Sequence, residues 1–174
     1  MQATDGIVKG AVTVLGGFVS ADIVLPARHS FLPPEEMAEH VLAELSAEVN
    51  KAVRARPIIV AGEAFGYGTG RESPARALRA AGVRAIVGGP CARMFFRNAI
   101  NNGVLVIDCP ALVGAEISDG DELEIDAASG RMRWKAQEFC AAPVPEFILN
   151  IIAAGGLIAH GRSVVRHIQQ DSPA

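Results

Sequence analysis

Val60-Ala61-Gly62-Glu63-Ala64-Phe65-Gly66-Tyr67-Gly68-Thr69-Gly70-Arg71-Glu72-Ser73 places four glycines within nine positions, between an apolar run and a helix-start signal. Residues 57–61 read as a buried strand, and Ser73-Pro74 as an N-cap and first helical residue. Glycines let backbone N–H groups turn inward and approach a bound group closely. Arg71 adds a planar fork suited to a carboxylate or phosphate, and Thr69 sets a hydroxyl beside it. Strand-to-helix connections usually take about 2–6 residues. This one is far longer, which favours a functional loop over a plain turn.

Two phosphate-binding loops fit poorly. A dinucleotide site requires Gly-x-Gly-x-x-Gly and an acidic residue about 20 positions on. Here the spacing is Gly66-x-Gly68-x-Gly70, and the next strand ends at Gly88-Gly89-Pro90 without an acid. A P-loop requires Gly-Lys-Ser/Thr, and no lysine is near. The remaining readings are a cradle for a small carboxylate or phosphate, or a glycine-rich turn with a surface arginine.

Upstream, Ile7–Leu15 reads as a strand and residues 21–26 as a short second one, its proline marking an edge or an end. Pro33-Pro34 before Glu35-Glu36 starts a helix with Ala38, Val41, Leu42 and Leu45 as its buried stripe. Downstream, the helix from Ser73 runs to Gly82, and residues 83–88 form a strand. Ala92, Phe95, Phe96, Ala99 and Ile100 make a helical stripe, and residues 104–107 a third strand. That succession implies a parallel sheet with helices packed on it. Leu123, Ile125, Met132 and Trp134 alternate with polar residues on either side of a turn at 126–130, which predicts a hairpin. Phe147, Ile148, Ile151 and Ile152 make a last helix, ended by Gly155-Gly156. The expected class is α/β, one domain over residues 1–174: a parallel sheet with packed helices, a C-terminal hairpin, and a loosely held tail over 161–174.

Half of the 174 residues are apolar, but no run approaches the roughly 18 needed to cross a bilayer. The first six residues lack the basic-then-apolar order of a signal peptide, so a cytoplasmic address is expected. A net charge of −3 argues against a nucleic-acid or anionic-membrane surface. Cys91, Cys109 and Cys140 are odd in number and widely spaced. They suit neither a disulfide framework nor a zinc or iron–sulfur site made by this chain alone. His40, His160 and His167 show no ligand-like spacing, so no metal site is expected here.

Together these residues resemble a known family. The glycine loop is similar to the signature loop of the small subunit of 3-isopropylmalate dehydratase, approximately Gly-x-Asn-Phe-Gly-Cys-Gly-Ser-Ser-Arg-Glu-His. That subunit is related to the swivelling domain of aconitase. The resemblance extends through Ala92-Arg-Met-Phe-Phe-Arg-Asn-Ala-Ile-Asn-Asn-Gly103 and Ala21-Asp-Ile-Val-Leu-Pro-Ala-Arg28. It reaches Pro143-x-Pro-Glu-Phe-Ile-Leu and Ala154-Gly-Gly-Leu157, and so covers most of residues 7–160.

The resemblance implies a β/β/α swivelling domain of the aconitase type. It implies a large-subunit partner carrying a 4Fe-4S cluster that takes the leaving hydroxyl, with no cofactor on this chain. The implied substrate is a hydroxy dicarboxylate, by default 3-isopropylmalate. Thr69 stands at the family's loop base and Arg71 at its carboxylate-binding arginine. Gly68 and Gly70 line the same cradle. Asp22 matches an active-site acid, with the capping of a turn as its plainer role, and Arg28 suits a contact to the substrate and a surface salt bridge equally. Removing water from a hydroxy acid means taking a proton from a very weak carbon acid. The base would be a hydroxyl turned alkoxide, held among N–H donors and arginine.

Several residues depart from the family pattern. Thr69-Gly70 replaces Ser-Ser, Ser73 replaces a histidine, and Tyr67 replaces a cysteine. Ser20-Ala21-Asp22 stands for Asp-Thr-Asp, and Pro90-Cys91 for Ser-Phe. The segment His29-Ser-Phe-Leu-Pro33 occupies the place of the family's substrate-selecting loop. These changes leave room for another hydroxy diacid of the dimethylmalate, methylmalate or homocitrate type. A non-catalytic module binding small carboxylates is the reading from another class.

Overall fold

Residues 6–170 are described in the computed structural model. The chain begins with β1 (Ile7–Leu15), β2 (Phe18–Ser20), α1 (Ala21–Val24), a 3-10 turn at Ala27–His29, α2 (Pro34–His40) and α3 (Ala47–Ala55). It continues through β3 (Ile58–Ala61), β4 (Ala64–Tyr67), α4 (Ser73–Ala80), β5 (Ala85–Gly88), α5 (Arg93–Asn101) and β6 (Leu105–Asp108). The remainder is α6 (Pro110–Val113), β7 (Glu122–Asp126), β8 (Arg131–Trp134), β9 (Gln137–Cys140), α7 (Glu146–Ala153) and α8 (Leu157–Gln170).

One seven-stranded sheet runs in the order β6-β5-β3-β1-β7-β8-β9. Its first four strands are parallel, and the last three add antiparallel. β1 joins the two halves: residues 12–15 pair with β3 and residues 7–11 with β7. β3 and β5 are buried on both faces, as parallel strands between two layers must be. Alternation divides them between two cores. Ile59, Ala61 and Ile86 join Phe65, Leu78 and Phe95 on one face, whereas Ile58, Val60 and Val87 join Leu112, Leu123 and Trp134 on the other. β2 and β4 form a separate two-stranded parallel sheet. The parallel sheet, its helices and the hairpin agree with the expected α/β class.

Local chemistry overrides the sequence reading at several points. Residues 21–26 begin as helix, because Ser20 Oγ accepts from the Ile23 N–H at 3.2 Å and Asp22 occupies the first turn. α2 stops at His40, short of the stripe read through Leu45: Val41 is extended and Leu42 adopts a left-handed φ of 54°. Both are nevertheless fully buried, so apolar spacing at helical intervals came from a bend rather than a helix. Asn50 Nδ2 holds that bend through the Val41 carbonyl at 2.6 Å. α3, capped by Ser46, was not anticipated. β4 lies inside the glycine loop, and β9 adds a strand beyond the expected hairpin. Residues 161–170, read as a loose tail, continue α8 as helix; residues 171–174 lie outside the described residues. No single helix among the described residues is long and apolar enough to cross a membrane.

Candidate active site

The glycine loop is held against α5 before any site chemistry is considered. The Phe65 N–H donates to the Pro90 carbonyl at 3.1 Å, and the Ala92 N–H returns to the Phe65 carbonyl at 2.9 Å. The Phe65 and Phe95 rings meet edge-on, with centroids 5.2 Å apart. Gly66 permits this approach: its φ is 77°, and a Cβ there would lie 2.6 Å from that of Phe95. Further along, Asn98 Nδ2 donates to the carbonyls of both Gly70 and Arg71 at 3.1 Å. Asn102 Nδ2 donates to Glu72 Oε1 at 2.8 Å. Asn98 of α5 and Asn102, which caps its C-terminus, therefore fix both ends of the Gly70–Glu72 corner.

Arg71 is the hub of the site. Its backbone N–H and its Nε–H both donate to Thr69 Oγ1, each at 3.3 Å. Nη1 donates to Ser30 Oγ, and Nη2 pairs with Asp22 Oδ1. Ser73 Oγ donates to Ser30 Oγ at 3.0 Å. Ser73 is therefore a buried site residue at the start of α4 and caps nothing; Glu72 takes the N-cap position without a side-chain bond. The Arg71 side chain is 28% exposed and that of Asp22 57%, so the pair is reachable from solvent.

Of the residues singled out from sequence, the fold brings Asp22, Thr69 and Arg71 into one cluster. Gly68 adjoins it: a Cβ there would stand 3.7 Å from Asp22 Oδ2. Gly70 lies on the exposed side of the corner, beneath the Met94 methyl. Arg28 is engaged elsewhere, with Nη2 on Glu44 at 2.7 Å and Nε on His29 Nε2 at 3.1 Å. Ser30 and Asn98 were not singled out as site residues. Ser30 lay within a segment already marked as substrate-selecting, and Asn98 within the 92–103 segment that carries the resemblance, where its position on the helix gave it no separate signal.

The Thr69 hydroxyl thus faces one charged and one neutral N–H donor, an arrangement that favours negative charge on its oxygen. Cys91, beside the loop, offers no comparable nucleophile. Burial, with a smaller contribution from Asp108, pushes its thiol up to about 12. Among the described residues, no group of three or more His, Cys, Asp or Glu side chains could hold a metal ion. Around the loop, Phe31 is 98% exposed and Phe18 56%, an unusual amount of bare aromatic surface.

Residues 35–112 match the family model of the aconitase C-terminal domain. A 3-isopropylmalate dehydratase small subunit from Thermodesulfovibrio yellowstonii is 37% identical over 154 residues, which is 87% of this chain and 91% of that protein. A 2,3-dimethylmalate dehydratase small subunit from Eubacterium barkeri is 40% identical over 153 residues, 86% of this chain and 93% of that protein. The crystal structure of a 3-isopropylmalate dehydratase from Methanocaldococcus jannaschii superposes with a TM-score of 0.83 at 29% identity, covering 95% of this chain and 99% of that one.

Proposed function

Because the chain belongs to the family of 3-isopropylmalate dehydratase small subunits, we propose that it is the small subunit of a heteromeric hydro-lyase whose substrate is 3-isopropylmalate. The observation that carries the reading is the pair of donors from Arg71 to Thr69 Oγ1. They give a hydroxyl the electropositive setting that an alkoxide base needs. Thr69 takes the proton from the carbon beside the substrate carboxylate. Arg71 exchanges Asp22 for that carboxylate, while Gly68 and Gly70 add no side chain of their own to the approach. Arg28, on the same N-terminal segment, takes part only if substrate draws it from Glu44.

The iron–sulfur cluster belongs, in this reading, to a large-subunit partner. The residues described here supply no ligand set for it, and no step of this chain's chemistry is routed through it. Phe18 and Phe31 support a partner surface over the loop, since a complex would remove them from water. The test is to co-express the chain with its large subunit and assay 3-isopropylmalate, following the unsaturated diacid. The complex turns over and the separate chain does not. A complex inactive on every hydroxy diacid tried would leave only a carboxylate-binding module.

A second substrate reading rests on the 40% identity to the dimethylmalate enzyme's subunit, comparable to that with the isopropylmalate subunits. Both acids present the same hydroxy diacid core to Thr69 and Arg71.

A further inference from the structure

The corner that carries Thr69 and Arg71 has a bare position between them. Gly70 is exposed, and its backbone lies outside the left-handed region, so the fold does not demand glycine there. What borders the vacant side-chain volume is the Met94 methyl: a Cβ on Gly70 would stand 3.1 Å from Met94 Cε. Met94 is the second residue of α5 and is 53% exposed, so the protein's own core does not claim it. Asn98, one turn on along the same helix face, grips the Gly70 carbonyl at 3.1 Å. α5 thus meets Gly70 twice, holding its backbone with an amide and flanking its side-chain space with a methyl group.

We propose that Met94, seated over Gly70, is a specificity-determining residue of this site and forms the wall against which an alkyl substituent of the substrate packs. The inference rests on the hydro-lyase reading and deepens it by naming the residue that selects an alkyl branch on the hydroxy diacid over a further polar arm. A side chain at position 70 able to donate a hydrogen bond would reward a polar group on that side of the substrate. A flexible, polarisable methionine rewards an apolar one and adapts to its shape. Burying a polar arm against a thioether would leave that arm unpaired.

The test uses the complex of this chain with its large subunit and a series of malates bearing hydrogen, methyl or isopropyl on carbon 3. The quantity read is the ratio of kcat/KM between the isopropyl and hydrogen members, because a purely structural role for Met94 would scale both alike. Met94→Ala lowers that ratio by roughly tenfold or more, the scale of lost alkyl contacts in a pocket. Met94→Leu restores most of it. Gly70→Ser, whose side chain displaces the Met94 methyl, lowers it in the same direction. An unchanged or raised ratio in Met94→Ala, with the parent complex active, overturns the assignment of Met94 and leaves the hydro-lyase reading standing. A parent complex inactive on the whole series overturns both.

Discussion

Thr69→Val keeps the branched shape of the side chain and removes one oxygen. Turnover in the complex falls to near zero while substrate affinity is largely kept, since a proton-abstracting group acts mainly in the transition state. Thr69→Ser retains substantial activity because it keeps the acceptor for both Arg71 donors. Steady-state kinetics of the two variants separate hydroxyl chemistry from loop shape; equal rates for Thr69→Val and the parent would remove Thr69 as the base. Arg71→Lys keeps the charge but cannot reach Thr69, Ser30 and Asp22 together with one ammonium. It costs about 2–4 kcal/mol of transition-state stabilisation, measured as kcat/KM, with melting behaviour close to the parent's. Thr69 and Arg71 stand out within the glycine loop itself, whereas Asp22 was singled out only through the family resemblance; the fold sets all three side by side. Ser30 did not stand out, because a serine 41 positions from Arg71 gains meaning only when the fold sets it there. Arg28 could be read equally as a substrate contact or as a surface ion pair, and here it is paired with Glu44.

Elements were legible where apolar periodicity and termination agreed, as in α5 and the parallel strands. They were missed where one polar side chain decided the backbone, as Ser20 does for α1 and Asn50 for the bend after α2. The docking of β4 on α5 offers a direct check. Gly66→Ala forces a methyl against the Phe95 ring at a left-handed φ, and should cost at least about 1–3 kcal/mol in chemical denaturation. Stability unchanged by that substitution would mean the loop does not seat on Phe95 as described. The 3-10 turn before Ser30 supplies a pH-dependent check. His29 stacks on His40 with ring centroids 3.8 Å apart. Burial, then His40 and then Arg28 hold its imidazolium below the ordinary value of 6.5, while Glu44 opposes them. The unfolded chain therefore takes the proton first as pH falls. The group costs nothing well above 6.5 and removes stability as pH drops through and below it. His29→Gln should flatten the decline in denaturation midpoint between about pH 7 and 5. An identical decline in parent and variant would show that this stack is not responsible.

Across the whole molecule, the parallel sheet with packed helices was readable from the succession of strands and helices, but α8 and β9 were not. Leu157, Ile158, Val164, Val165 and Ile168 do fall at helical spacing, but Gly155-Gly156 reads as the end of the last helix, and the stripe they make is substantially exposed. The glycine-loop side makes a prediction at this level too. Amide exchange at residues 64–71, and around Phe31, should slow when the large subunit is added to the purified chain. Protection that is unaltered there would move the partner to another face. A different consequence follows from β1, which completes its pairing only with β7. During synthesis, residues 7–11 leave the ribosome long before their antiparallel partner at 122–126 exists. Until then the growing polypeptide carries a raw strand border with free amides and carbonyls, the kind of template that recruits neighbouring chains. Nascent polypeptides arrested before residue 122 should therefore be open to protease near their start and dependent on chaperones, and should lose both traits once β7 has been translated.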